Sequence, residues 1–117
     1  MPDKLVPVLH VTDARKSTEW YARLGFTLES EHQFAQNMPI YAFLKRGDNS
    51  LHLSEHKGDA KPDTLVYFYV DDVDSLAQEF GETAKEQPWG MREIWITDPD
   101  GNRWRIGASA ENKEGDE

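Results

Sequence analysis

Apolar and polar residues alternate over most of the chain, and this pattern is interrupted by two segments with helical spacing. Leu5 to Val11 is an apolar run that predicts a strand, and it ends at Thr12-Asp13. Asp13 is a good helix N-cap, because its carboxylate can accept from the first free amides. The helix that follows has one predicted face, made by Ser17, Trp20, Tyr21 and Leu24. Gly25 marks its end.

Three further strands are predicted before residue 56, at Phe26–Phe34, Ile40–Arg46 and Ser50–Glu55. In the last of them Leu51 and Leu53 share one face, and His52 lies on the other, because side chains alternate along a strand. The polar segment 56–63 contains Gly and Pro and is interpreted as a linker between two halves.

The second half repeats the pattern of the first. Leu65–Val70 predicts a strand, Asp72 a helix N-cap and Gly81 the end of that helix. Alignment of the two halves places Leu9 on Phe68, Val11 on Val70, Asp13 on Asp72, and Tyr21 on Phe80. Two copies of βαβββ, an α+β arrangement, are the simplest account, although residues 82–86 have a weak strand signal.

A corner, a strand and a turn follow the second helix. Pro88 and Gly90 flank Trp89, so a large ring lies on a constrained corner. In the next strand Ile94 and Ile96 are predicted to face the core, which places Glu93 and Trp95 on the opposite face. The segment Asp98-Pro99-Asp100-Gly101-Asn102 predicts a type I turn with a structural role.

Composition narrows the class of protein. A length of 117 residues predicts one domain, and the absence of cysteine excludes disulfides, thiol catalysis and cysteine-ligated zinc. No apolar run reaches the roughly 20 residues of a membrane span, and a net charge of −9 gives no footprint for nucleic acid. We therefore expect a cytoplasmic protein without membrane or nucleic-acid partners. Residues 108–117 are small or charged and predict a disordered acidic tail.

The segments Trp20–Phe26, Val70–Asp74 and Asp98–Asn102 resemble the vicinal oxygen chelate superfamily, which includes glyoxalase I, extradiol dioxygenases and bleomycin-resistance proteins. Gln87–Glu93 is most similar to the bleomycin-resistance branch. The resemblance implies one glyoxalase-like domain at 1–107. Its modules, at about 4–56 and 64–107, would form curved mixed sheets around a cavity. It also implies a homodimer whose interface clefts bind an antibiotic without changing it.

The same resemblance allows a test for a metal site. Enzymes of the superfamily place His, Glu or Gln ligands at four strand positions, which fall on Val6, His52, Leu65 and Arg105 in this sequence. Only His52 could bind a metal there, and Arg105 adds a positive charge. We therefore predict no metal and no other cofactor. A displaced set with His10, His52 and Glu55, joined by His56 or Glu93, is an alternative that the spacing does not favour.

Seven residues are candidate ligand contacts, and no residue is assigned a catalytic role. Aromatic walls stack on planar ligands and attract cations, and the resemblance places Trp89 and Phe34 in a cleft wall. Ordinary packing is the alternative for each ring, as a sheet hydrogen bond is for the histidine. Glu93 could meet a ligand cation or pair with Arg103 or Arg105 on the next strand, and the internal pair is slightly preferred. The candidates are Phe34, His52, Tyr67, Tyr69, Trp89, Glu93 and Arg105.

Two functions follow, from different classes. The first is a metal-free small-molecule-binding protein of the bleomycin-resistance type, sequestering a drug-like ligand in a dimer-interface cleft. The basic residues on the predicted cavity faces argue against bleomycin itself, a cationic glycopeptide, and leave a smaller or anionic ligand open. The alternative is a metal-dependent enzyme of the superfamily, a lyase or dioxygenase. A dimeric fold with no small-molecule role is a third interpretation.

Overall fold

The computed structural model describes residues 3–110 and divides the chain into two compact units. One unit comprises the chain up to Thr64 together with Asp98–Asn102, and the other comprises Leu65–Thr97 and the chain from Arg103. The elements in chain order are β1 (Val8–His10), α1 (Ala14–Arg23), β2 (Thr27–Gln33), β3 (Ile40–Arg46), β4 (Asn49–Ser54), β5 (Leu65–Tyr69), α2 (Val73–Phe80), β6 (Lys85–Glu86), β7 (Met91–Thr97) and β8 (Arg103–Ser109).

The first unit contains a four-stranded mixed sheet in the order β1-β4-β3-β2. β1 and β4 are parallel, and the other neighbours are antiparallel. Asp13 caps α1 by accepting from the Lys16 amide at 3.1 Å. The core of this unit is mainly aliphatic with two buried aromatic rings, and it includes Leu9, Val11, Tyr21, Leu24, Phe26, Leu44, Leu51 and Leu53.

The side-chain carboxylate of Asp98 stabilises the Asp98–Asn102 turn through hydrogen bonds. Asp98 is 4% exposed and accepts from the Tyr21 hydroxyl at 2.6 Å and from the Asn102 amide at 2.9 Å. The Gly101 amide donates to the Asp98 carbonyl at 3.0 Å, which closes the turn that the sequence predicts. Because the carboxylate is occupied by internal donors, we assign this turn a structural role.

The second unit has the same strand order, β5-β8-β7-β6, with β5 and β8 parallel. Asp72 accepts from the Ser75 amide at 3.0 Å, and Gly81 ends α2 in the left-handed conformation at φ 67°. Its core consists of Val73, Leu76, Ala77, Ile94, Ile96, Trp104 and Ile106. The repeated βαβββ module and the α+β class that the sequence predicts are therefore confirmed.

The strand ends differ from the prediction in places. β1 begins only at Val8, because Pro7 has no amide proton to donate. β6 contains two residues, in agreement with the weak strand signal before Glu86. β8 continues to Ser109, which pairs with Met91, so the predicted disordered tail was wrong at residues 108–109. Residues 111–117 of that tail lie outside the described residues. Within residues 3–110, no helix is long and apolar enough to cross a membrane.

Candidate ligand-binding site

One face of the second sheet carries large side chains in adjacent register. Tyr67 on β5 and Trp95 on β7 both pair with Arg105 on the intervening β8. Tyr69 and Glu93 flank Gly107 in the same way. Because side chains alternate along a strand, this face is opposite to the buried isoleucines of β7 and β8. We call the surface formed by Tyr67, Tyr69, Trp89, Glu93, Trp95 and Arg105 the Glu93 face.

Glu93 lies at the centre of this face and is 2% exposed. Its Oε1 atom accepts from Trp95 Nε1 at 2.9 Å. Its Oε2 atom accepts from Trp89 Nε1 at 2.9 Å and from the Tyr67 hydroxyl. Three aromatic donors from three places in the chain therefore converge on one buried carboxylate.

These contacts set the protonation states of the face. Burial raises the pKa of Glu93, but hydrogen bonds from Trp95, Tyr67 and Trp89, with the charge of Arg105, outweigh it, and the net pKa is lowered. Burial, assisted by the hydrogen bond to Glu93, raises the pKa of Tyr67 to about 12. At neutral pH the carboxylate is thus ionised and the phenol is protonated.

The rings that donate to Glu93 are anchored at their polar edges, and all three side chains remain partly exposed. Trp89 is 59% exposed, Trp95 is 54% exposed and Tyr67 is 37% exposed. Tyr69, whose ring centroid lies 4.9 Å from that of Tyr67, is 73% exposed. Large apolar side chains that are both exposed and fixed in this way are typical of a binding surface.

The Pro-Trp-Gly corner brings Trp89 to the carboxylate. The Gly90 amide donates to the Gln87 carbonyl at 3.0 Å, and the Gln87 amide donates to the Met91 carbonyl at 2.7 Å. Gly90 has φ +85°, which favours glycine, so the chain can close this tight hairpin. The corner was predicted to present Trp89 outside the regular strands, and it does so.

Trp95 lines two clefts. One has a volume of about 300 Å³ and is lined by Glu82, Thr83, Lys85, Gln87, Glu93, Ile94 and Trp95. The other has a volume of about 180 Å³ and is lined by Leu65, Trp95, Ile96, Thr97, Arg103, Trp104 and Arg105. The indole of Trp95 is therefore a wall shared by a carboxylate-containing cleft and a guanidinium-containing cleft.

The remaining candidates belong to the first unit. The His52 Nδ1 atom is 2.9 Å from the Tyr41 hydroxyl, and its ring lies 4.7 Å from that of Phe43. Burial lowers the pKa of His52, which favours the neutral ring. Phe34 follows β2, is 74% exposed and meets His32 edge-on at 4.5 Å. The structure thus brings together Tyr67, Tyr69, Trp89, Glu93 and Arg105, whereas Phe34 and His52 are described within the other unit.

The preferred pairing of Glu93 with an arginine is replaced by hydrogen bonds from neutral rings. In the register of the sheet Glu93 is opposite Gly107, while Arg105 is opposite Trp95. The guanidinium carbon of Arg105 lies 4.4 Å from the centre of a Trp95 ring and acts on Glu93 only through its charge.

Sequence reasoning missed Gly107 and assigned Trp95 no ligand contact. A Cβ atom at position 107 would lie 2.8 Å from the Tyr67 hydroxyl oxygen and 3.2 Å from the Glu93 Cγ atom. The missing side chain therefore makes room for the hydrogen bond between Tyr67 and Glu93. A glycine inside a strand was the available signal for such a close approach. Trp95 was already placed on the same face as Glu93 by alternation.

The residues at the superfamily's ligand positions do not fit a metal. Val6 and Leu65 have no donor atom, Arg105 is cationic, and Nδ1 of His52 is engaged by a phenol. The alternative set of His10, His52 and Glu55 does not fit a metal either. Both carboxylate oxygens of Glu55 accept from backbone amides, those of Ala14 at 2.7 Å and Ile40 at 2.9 Å. Over residues 3–110, no group of three His, Cys, Asp or Glu side chains could hold an ion.

The comparison with protein families identifies the class. The model described as glyoxalase superfamily protein matches residues 1–116, so the chain belongs to the glyoxalase superfamily. No protein of curated function matches the sequence.

Solved structures share the fold at low sequence identity. A bleomycin-binding protein complexed with bleomycin is 21% identical, with TM-score 0.73, and covers 92% of this chain and 99% of its own. TnmS3, an antibiotic-binding protein from Streptomyces sp. CB03234, is 21% identical, with TM-score 0.75 and coverage of 93% and 97%. A lactoylglutathione lyase from Agrobacterium tumefaciens is 21% identical, with TM-score 0.71 and coverage of 94% and 96%. Binding proteins and an enzyme thus share this fold, and the fold alone does not choose between them.

Proposed function

We propose that this protein binds a small drug-like molecule at the Glu93 face and leaves it chemically unchanged. The observation that carries the proposal is the buried Glu93 carboxylate, which holds Tyr67, Trp89 and Trp95 by their polar edges. The three side chains are 37–59% exposed, with Arg105 over one face of Trp95, and exposed rings can stack on a planar ligand.

Glu93 acts in this proposal as a support. Both of its oxygens accept from the rings, and the residue is almost fully buried. Its work is to fix the two indoles before a ligand arrives, which reduces the entropy that binding would otherwise cost. The ligand would contact the indoles and Tyr69, the most exposed ring of the face.

Structural relatives support a binding role. The solved structures with this fold include a bleomycin-binding protein in complex with bleomycin and an antibiotic-binding protein. By extension we propose that two copies of this chain form a cytoplasmic homodimer with the ligand in a cleft at their interface. Light scattering of the purified protein would test the dimer, and a monomer at working concentrations would contradict it.

Tryptophan fluorescence provides the test of binding. The protein would be titrated separately with metal-free bleomycin, copper-loaded bleomycin and 2-naphthamide, a neutral planar probe. We expect saturable quenching by at least one of them. The double variant Trp89→Phe/Trp95→Phe should bind that probe more weakly, and calorimetry would measure its affinity. No saturable signal with any probe at high micromolar concentration would contradict the proposal.

The non-catalytic part of the proposal has its own readout. After prolonged incubation with the protein, the bound probe would be recovered and analysed by mass spectrometry. We expect the same mass and yield as in a sample without protein. A new product that grows with protein concentration would show that the chain is an enzyme.

A further inference from the structure

Arg105 occupies a defined position on the Glu93 face. It lies between Tyr67 and Trp95 in the register of the sheet, and its guanidinium carbon is 4.4 Å from the centre of a Trp95 ring. A cation–π contact with an indole restrains a guanidinium near the ring, and its N–H groups can still donate to a further acceptor. The side chain is half-buried, so this geometry is formed at the wall of a cleft.

The hydrogen-bonding capacity of Arg105 is not used by its neighbours. Within residues 3–110, its guanidinium makes neither a hydrogen bond nor an ion pair. Its polar interaction there is the cation–π contact with the Trp95 ring. The nearby carboxylate of Glu93 is already occupied by Trp89, Trp95 and Tyr67. Among the described residues, the five N–H donors of this planar fork are therefore not taken up by a protein acceptor.

The cleft at Arg105 has the size and lining for one flat acidic group. Its volume is about 180 Å³, and Leu65 and Trp95 give it apolar walls. Arg103 and Thr97 line the same cleft. A carboxylate matches the fork of the Arg105 guanidinium with two parallel hydrogen bonds, whereas a cation would meet its positive charge.

We propose that this cleft binds the carboxylate of a planar aromatic ligand, with Arg105 as its bidentate partner and Trp95 as the stacking wall. The inference rests on the proposed function and specifies its ligand class as aromatic acids. It also separates this chain from a binder of cationic glycopeptides.

A matched pair of probes tests the inference. Calorimetric titrations with 2-naphthoate and 2-naphthamide compare the same ring system with and without a negative charge. We expect the acid to bind at least about tenfold more tightly, the effect of one charge-assisted hydrogen bond. Arg105→Gln should remove this preference, so that the acid and the amide bind with similar affinity, and Arg105→Lys should retain part of it, since it keeps the charge and loses the fork.

Arg92→Gln serves as the control variant. Arg92 lies on the adjacent strand and pairs with Asp74 at 2.8 Å, so its loss should leave the preference for the acid intact. Circular dichroism would show whether the Arg105 variants fold, and the comparison of the two probes on the unmodified protein does not depend on them.

The possible results separate this inference from the function beneath it. Equal affinity for the two probes would overturn the carboxylate subsite and leave aromatic binding in place. A preference that survives in Arg105→Gln would overturn the role of Arg105. Failure of both probes to bind would overturn the inference, and if bleomycin also fails, the proposed function falls with it.

Discussion

The two units use one topology to present two different aromatic surfaces. In the first, Tyr41 shares a hydrogen bond with His52, and both rings are half-buried beside Phe43. In the second, the buried, ionised Glu93 accepts from two indoles that are more than half exposed. Trp95 lies on β7, and Trp89 lies in the corner before it. The strand order is the same in both sheets.

The difference shows what the repeated module provides and what it does not. The module places rings on the sheet face opposite the apolar core in both units. Whether those rings are anchored and exposed depends on two positions within the strands, a buried acid at 93 and a glycine at 107. The comparison therefore predicts that changes at positions 93 and 107 have large effects on stability and ligand binding. A change to the hydrogen bond between Tyr41 and His52 in the first unit should have a small effect.

Glu93→Gln should have the largest effect. The NH2 group of glutamine cannot accept a hydrogen bond, so at least one aromatic N–H or O–H donor would lose its acceptor. The negative charge that strengthens these hydrogen bonds would also be lost. We expect the free energy of unfolding to fall by about 2 kcal/mol, together with weaker ligand binding. Urea unfolding measures the first effect. Glu86→Gln, at an exposed site on β6, is the control and should change stability by less than about 0.5 kcal/mol.

Gly107→Ala should have the next largest effect, because the added methyl group lies 2.8 Å from the Tyr67 hydroxyl oxygen. We expect a loss of about 1–2 kcal/mol from this overpacking. Tyr67→Phe removes the clashing atom, so Gly107→Ala should cost less in that background. Tyr69→Phe should give no such relief, and simple additivity in both double variants would show that the contact is not the cause.

The pH dependence of stability should separate Glu93 from Tyr67. The pKa of Glu93 is lower in the folded protein, so its contribution is present above the unfolded value near 4.5 and is lost as pH falls below it. The pKa of Tyr67 is raised to about 12, so its contribution is present below pH 10.0 and is lost as pH rises through 12.

Two spectroscopic controls accompany that pH experiment. The acid limb of the stability curve should become flatter in Glu93→Gln. Near-ultraviolet absorbance should show a phenol that titrates near pH 12, which disappears in Tyr67→Phe and persists in Tyr69→Phe. Burial also raises the pKa of Tyr41, so the comparison is made in a Tyr41→Phe background. A signal near pH 12 that survives the change at Tyr67 would contradict the assignment.

Tyr41→Phe should have the smallest effect and so completes the comparison. Loss of the hydroxyl removes one neutral hydrogen bond to His52 and should cost no more than about 1 kcal/mol. NMR should show His52 titrating below its ordinary pKa of about 6.5 in the unmodified protein, because burial disfavours the charged ring. Binding of 2-naphthamide should be unchanged, and a large loss would move the ligand contact to the first unit.

Local sequence signals were sufficient for much of the fold. Ile40–Arg46 was predicted with its observed ends, since apolar alternation and a glycine turn define it. Asp13 and Asp72 were recognised as helix caps because capping depends on a few adjacent residues. β1 was predicted too long, because an apolar run that contains Pro7 does not show where pairing begins.

The site was predictable only in part. Alternation placed Glu93 and Trp95 on one face, and the corner identified Trp89. The hydrogen bonds between them depend on how the corner returns toward β7 and on the space left by Gly107. Those are features of tertiary geometry. The alternation of residues along the strand therefore could not predict that Glu93 hydrogen-bonds with indoles and not with Arg105.

The most direct test of the central claim is an NMR titration with 2-naphthamide that follows the indole N–H signals. The chain has four tryptophans, and Trp20, on α1 in the first unit, is an internal control. We expect the signals of Trp89 and Trp95 to shift together with one saturation curve, while that of Trp20 stays in place. Saturable binding that leaves both Trp89 and Trp95 unchanged would contradict the Glu93 face as the binding site.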